Sequence, residues 1–257
     1  MKKFQNITNK IAPLLSITFI FIIWLFVGEN NIVPTYMLPS PLDVINVFFT
    51  DFHTLLTHLA ITLQEAAYGL IIGVIIAFTM AIIMDRFIFL KKALYPIFII
   101  TQTVPTIAIA PLLVLWMGFG MAPKITLVVI TTFFPVVIGL LDGFACSDPD
   151  AECLLKSMGA NRQKIFFHLK LPSSLTHFFA GLRVSASYSI VGALIAEWLG
   201  GTEGLGVYMT RVKKAYAFDK MFAVIVLIVI LSLLLLLLVQ IIQKVVMPWT
   251  RKTQNGD

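Results

Sequence analysis

The sequence predicts an all-α membrane protein with about six transmembrane helices, and three observations support this fold class. Hydrophobic residues make up 59% of the 257 residues, only 12% are charged, and the mean hydropathy is +0.94. Soluble domains carry about 25% charged residues, so this chain has too little polar surface to cover a soluble globule. Its apolar content also excludes intrinsic disorder. Stretches of roughly 20 apolar residues, the length that crosses a bilayer, recur along the chain.

Six spans are predicted, at 11–27, 59–84, 93–123, 125–145, 175–199 and 221–239. The third carries no charge but contains Pro96, Pro105 and Pro111. Proline removes a backbone donor and breaks the helical hydrogen-bond ladder. We therefore expect the third span to be interrupted rather than straight.

The distribution of Lys and Arg predicts how the spans are oriented. Thirteen cations lie in the N-terminal segment, 86–92, 156–170 and the C-terminal tail, whereas five lie in the loops of the opposite side. Cytoplasmic loops carry an excess of positive residues. Both termini and the loop 146–170 are therefore predicted in the cytoplasm. The cations in 211–220 are the exception to this bias, because they lie in a loop of the opposite side. This bias accounts for the net charge of +6 without a nucleic-acid partner.

The motifs of membrane enzymes and ATPases are absent from the sequence. It contains no H-E-x-x-H, no G-x-S-x-G and no P-loop G-x-x-x-x-G-K-[ST]. Glu65, Asp142 and Glu197 are acidic residues in or near spans, and none has an evident partner in the sequence. A membrane-embedded enzyme usually needs paired ionisable groups at mid-span. The sequence therefore disfavours an enzyme and predicts neither a metal site nor a cofactor on this chain.

Small residues spaced by four predict a closely packed helix bundle. This spacing keeps them on one helix face, where two backbones can approach each other. The two stripes are Gly69, Gly73, Ala77 and Ala81 in the second span, and Gly181, Ser185, Ser189 and Ala193 in the fifth, which Glu197 continues.

The polar segment between the fourth and fifth spans predicts a short capped helix. Asp148 is a good N-cap, Pro149 a good first helical residue, and Gly159 a natural stop after the last turn. A second short helix is predicted at 161–168, and we expect Pro172 to break it before the fifth span.

Three apolar side chains share one face of this short helix: Leu154, Leu155 and Met158. An apolar face on a short loop helix requires a groove to cover it. Either the bilayer surface or another protein could supply that groove, and the residues alone leave both open.

Gly159, with Leu171-Pro172 ending thirteen residues later, resembles the "EAA" loop of permease subunits of ATP-binding-cassette (ABC) importers. Cys153-Leu154-Leu155 stands at the E-A-A positions, which is a departure from the pattern. Further segments fit the same group: 38–41, 84–86, 93–96, 102–105, 110–112, 115–120, 133–135, 197–201 and 204–208. The combination most resembles permeases for the pyrimidine precursor of thiamine, followed by sulfonate, taurine and nitrate permeases.

The resemblance implies a type I ABC importer permease in a bacterial cytoplasmic membrane, with 1–257 as a single transmembrane domain. It implies two separate ATPase subunits that bind ATP, a second permease subunit in a homodimer, and an extracytoplasmic binding protein that delivers the solute. The loop 146–172 would then couple the permease to the ATPases. The residues assigned to this coupling are Cys153, Leu154, Leu155, Met158, Gly159, Arg162 and Pro172.

The substrate pathway is assigned from polarity at membrane depth. Gln102 and Thr103 lie near the middle of the uncharged third span, and Pro105 leaves a backbone carbonyl without its donor. Such groups persist in the membrane when they line a cavity or when neighbouring helices satisfy them, and both readings stay open. Glu197 is a further pathway candidate, at an outer gate or at the headgroup level. A secondary transporter is the rival class, but the sequence shows no inverted repeat and no mid-membrane acidic pair.

Overall fold

The computed structural model describes residues 2–30, 32–34 and 37–249, with side chains from Leu15 onward. This part of the chain is helical apart from short turns, so the all-α prediction is confirmed. Its helices are α1 Lys2–Glu29, α2 Pro41–Thr50, α3 Phe52–Arg86, α4 Ile88–Gln102, α5 Thr106–Met117, α6 Met121–Ala145, α7 Pro149–Ser157, α8 Arg162–Ile165, α9 Leu171–Gly200, α10 Leu205–Lys214 and α11 Phe218–Val246.

Four helices of the described chain are long and apolar enough to cross a membrane: α3, α6, α8 continued by α9, and α11. Helices α4 and α5 are apolar enough only when taken as a pair, and they meet at an angle of 101°, the geometry of a broken span or of a re-entrant loop. The break lies at Thr103–Pro105, so the interruption predicted for the third span is confirmed. The predicted first span, 11–27, begins among residues whose side chains lie outside the described part. Its described apolar portion is Leu15–Glu29.

The helix break expected at Pro172 is wrong. The chain runs as one helix of 39 residues over Arg162–Gly200. Phe166–Lys170 forms a single π turn, in which the amide of Leu171 donates to the carbonyl of Phe166. In a π turn an amide pairs with the carbonyl five residues earlier instead of four. This change of pairing lies just ahead of Pro172, the second residue of α9, and it lets the helix continue through the proline.

The described chain divides into two compact units, and the larger comprises His58–Val207 with the residues from Ile228 onward. In it α9 packs along α6, with Gly181 facing the backbone of Pro135 and the Ser185 hydroxyl donating to the carbonyl of Thr132 at 2.7 Å. In the second span, Gly69 and Gly73 face side chains of α6. The close packing predicted from the small-residue stripes is therefore confirmed.

The smaller unit comprises the residues up to Thr57 together with Tyr208–Leu227. Its polar centre is Asp51, which accepts from Lys220 at 2.6 Å and from the Tyr208 hydroxyl at 2.8 Å. The hydrogen bond from Lys220 lowers the pKa of Asp51. Burial, followed by the bond to Asp51, raises the pKa of Tyr208. That the two units act as one domain stays a prediction.

Candidate functional site

The short helix α7 has the two caps that the sequence predicts. Asp148 Oδ1 accepts from the amide of Asp150 at 2.9 Å. At the other end the amide of Ala160 donates to the carbonyl of Leu155 at 2.9 Å, and Gly159 has a φ of 80°. This is a Schellman ending, in which glycine adopts the left-handed conformation without steric cost.

The apolar face predicted for α7 is open in the described structure. Leu154 is 62% exposed and Met158 is 74% exposed, whereas Leu155 is half-buried. Cys153 is also exposed. We call Leu154 and Met158 the apolar face of α7.

Arg162 connects the loop after α7 to the end of α3. Its Nη2 atom donates to the carbonyl oxygens of Asp85 and Arg86, both at 3.1 Å. The last carbonyls of a helix lack intrahelical donors and carry partial negative charge, so a guanidinium suits this position. Lys170 adds an ion pair to Asp85 at 3.0 Å. The sequence singled out Arg162 but not this contact, because its partners lie 76 and 77 residues away.

A second feature is a cavity of about 380 Å³ where the α4–α5 break faces α6 and α9. Gln102, Thr103 and Pro105, assigned to the pathway from sequence, all line it. Its other polar and aromatic lining residues are Thr101, Thr106, Thr131, Phe134 and Tyr188. Among the described residues that line it, none is charged.

The lining residues of α6 and α9 were not found from the sequence. Thr131, Phe134 and Tyr188 come from spans whose hydroxyl and aromatic side chains resemble many others in the chain. Gly192 marks the close packing of α9 on α6, because a Cβ there would lie 2.9 Å from Thr131 Oγ1. That packing becomes visible only when α6 and α9 are placed side by side.

The fourth pathway candidate, Glu197, lies apart from this cavity. Its Oε1 is 2.6 Å from Thr62 Oγ1, and its Oε2 accepts from the amide of Gly206 at 2.5 Å. Beside it, Glu65 Oε1 pairs with Lys124 Nζ at 2.6 Å. We define the buried polar cluster as His58, Thr62, Glu65, Lys124, Glu197 and Gly206. The expectation that Glu65 and Glu197 lack partners is wrong, because their partners come from other spans or from the first turn of α10.

Comparison with known proteins identifies the class of this chain. Residues 69–252 match the family "Binding-protein-dependent transport system inner membrane component". The formylaminopyrimidine transport permease protein ThiX of Halalkalibacterium halodurans is 30% identical over 94% of this chain and 97% of its own. A probable ABC transporter permease of Haemophilus influenzae is 35% identical over 84% of this chain and 89% of its own. The taurine transport system permease protein TauC of Escherichia coli is 27% identical over 90% of this chain and 87% of its own.

A solved structure described as an amino acid ABC transporter with histidines has the same fold. It superposes with a TM-score of 0.64 over 77% of this chain and 96% of its own, at 13% identity. With the apolar spans, these matches place the chain in the cell membrane as a multi-pass protein. The chain belongs to the binding-protein-dependent transport system inner membrane components, the permease subunits of ABC importers.

Proposed function

We propose that this chain imports a small uncharged nitrogen heterocycle, the pyrimidine precursor of thiamine, with energy from ATP hydrolysed on two separate ATPase subunits. Two copies of the chain form the pathway, and an extracytoplasmic binding protein delivers the solute. The observation that carries this proposal is α7, a capped helix that presents an apolar face at the end of the bundle predicted to be cytoplasmic. This chain itself holds no cofactor in the proposal.

The contacts around α7 support a role in coupling. Leu154 and Met158 would enter a groove of the ATPase, as an exposed apolar helix face requires. Gly159 sets the direction in which the chain leaves the helix, and Arg162 holds the following segment on the carbonyls of α3. A displacement of α7 by the ATPase would therefore reach α3 directly and α9 through the continuous helix Arg162–Gly200. Alternating access then follows as a shift between two packed states.

The cavity supports the substrate class. Its amide and hydroxyl groups can exchange hydrogen bonds with ring nitrogens and amino groups, and Phe134 and Tyr188 can stack on a planar ring. An anion such as a sulfonate or nitrate would enter this uncharged site without a cationic partner, at a desolvation cost that a neutral heterocycle avoids. The 30% identity to a formylaminopyrimidine permease agrees with this choice. We assign the pathway to Gln102, Thr103 and Pro105, and not to Glu197, which lies outside the cavity lining.

Substitution of Gln102 tests the pathway. Gln102→Leu removes hydrogen-bonding capacity from the cavity while leucine suits an apolar environment, so uptake of formylaminopyrimidine by the complete complex in vesicles should fall at least several-fold with an unchanged melting temperature. Thr126→Val, at a half-buried position outside the cavity lining, is the matched control and should keep full uptake. Normal uptake with a lowered melting temperature would show that Gln102 only satisfies the Pro105 break. Uptake of taurine in place of the pyrimidine would contradict the substrate class.

A further inference from the structure

The buried polar cluster is used neither by the coupling helix nor by the cavity. Glu65 of α3 and Glu197 of α9 are exposed by 0% and 1%, and Lys124 of α6 by 5%. Charged side chains are rarely this buried unless each charge is compensated. Each charge in the cluster therefore needs an opposite charge, and each polar atom needs a hydrogen-bond partner.

The charges do not balance if both carboxyl groups are ionised. Lys124 Nζ lies 2.6 Å from Glu65 Oε1, and its other hydrogen-bond partner is the carbonyl of Glu203 at 3.4 Å. His58 Nδ1 accepts from the amide of Gly204 at 3.0 Å, so the ring is neutral. Within the described chain, Glu197 forms no ion pair. An ionised Glu197 would thus be a buried anion beside a second carboxylate, and the two would have to share Lys124 as a single counter-ion.

The hydrogen bonds of the cluster also indicate that one proton is missing. Glu65 Oε2 is buried and receives no donor from the described residues, although the carboxyl group of Glu197 lies within reach. Thr62 Oγ1 accepts from the amide of Leu205 at 2.9 Å. Its single proton faces two acceptors, the carbonyl of His58 at 3.2 Å and Glu197 Oε1 at 2.6 Å. The cluster lacks one donor, and an unsatisfied buried acceptor is costly.

We propose that the Glu65–Glu197 pair binds one proton, which makes Glu197 a neutral carboxyl group that donates a hydrogen bond. The proton is shared with Glu65 Oε2, which has no donor, or with Thr62 Oγ1, whose own proton can then go to the carbonyl of His58. Glu65 stays ionised opposite Lys124, so the cluster as a whole is neutral. Glu197 is thereby a positioning residue. It holds the segment 201–206, which is the turn after α9 and the start of α10, on α3, and with it the end of α9 that carries the cavity residue Ile195.

Infrared difference spectroscopy of the purified complex at neutral pH tests directly whether Glu197 is protonated. Glu197→Gln should remove a carbonyl stretching band of a protonated carboxyl group, and this band should shift in D₂O. Glu203→Gln is the matched control, because that side chain is exposed on the same turn and its loss should change only ionised-carboxylate bands. If Glu197→Gln also changes only ionised-carboxylate bands, the proposal is overturned.

Thermal unfolding gives an independent measurement. The amide of Glu197→Gln can donate where the proton did and still accept from Gly206, so its melting temperature should stay close to that of the unsubstituted complex. Glu65→Gln leaves Lys124 buried without its counter-ion and should lower the melting temperature by several degrees. Equal losses in the two variants would contradict the assignment of the proton to Glu197. If Glu65→Gln does not assemble, the infrared measurement on Glu197→Gln still decides.

Discussion

Single residues determine the direction in which α7 presents its apolar face. Gly159 has a φ of 80°, and a Cβ built there meets no atom within 4 Å. A substitution at this position therefore acts through backbone strain alone and not through a steric clash. The Asp148 cap and the Gly159 ending act within a few residues, which is why both could be predicted from the sequence.

Two substitutions of Gly159 separate strain from side-chain size. Gly159→Val should cost about 1–3 kcal/mol in this left-handed conformation, whereas asparagine visits it more readily. Transport by the assembled complex should fall at least several-fold in the valine variant and stay near normal in Gly159→Asn. Uptake per assembled complex is the measurement. Full transport by the valine variant would show that the Schellman turn does not set the position of α7.

At the level of elements, α7 and α3 are joined through Arg162, whose guanidinium donates to two terminal carbonyls. Arg162→Ala should remove both bonds, at about 0.5–1.5 kcal/mol each, and speed amide hydrogen exchange in residues 159–165. Arg162→Lys keeps the charge but loses the planar fork of donors. Its exchange rate in residues 159–165 should therefore lie between those of the unsubstituted protein and Arg162→Ala. Exchange measured by mass spectrometry on the assembled complex checks this. Unchanged exchange in the alanine variant would contradict a structural connection between the coupling loop and α3.

The elements also show where prediction from the sequence succeeds and where it stops. The apolar runs and the charge-free third span predicted the long helices and the break near Pro105, because length and proline act locally. The sequence predicts a helix break at Pro172, because the compensating π turn at Phe166–Lys170 leaves no pattern in the residues. Lys124 and Glu65 are 59 residues apart, and Thr62 and Glu197 are 135 apart. Such pairs depend on which helices pack together, so the cluster could not be read from spacing.

At the scale of the whole molecule, orientation in the membrane is a prediction from the thirteen cations on one side. Cys146 and Cys153 are free and exposed, and in a variant with Cys146→Ser only Cys153 remains. A membrane-impermeant maleimide should leave Cys153 unlabelled in intact cells and label it in inside-out vesicles. Labelling in permeabilised cells is the control for reactivity. Labelling in intact cells would reverse the predicted orientation of α7 and separate it from the ATPases.

Reconstituted transport tests most directly whether ATP drives this permease through α7. Uptake of formylaminopyrimidine into proteoliposomes should require this chain, the ATPase, the binding protein and ATP together. Leu154→Asp places a charge on the apolar face of α7 and should abolish uptake, whereas Lys156→Gln, which removes only an exposed pair with Glu152, should not. Uptake by this chain alone in response to an ion gradient, or full ATP-driven uptake by Leu154→Asp, would contradict the account.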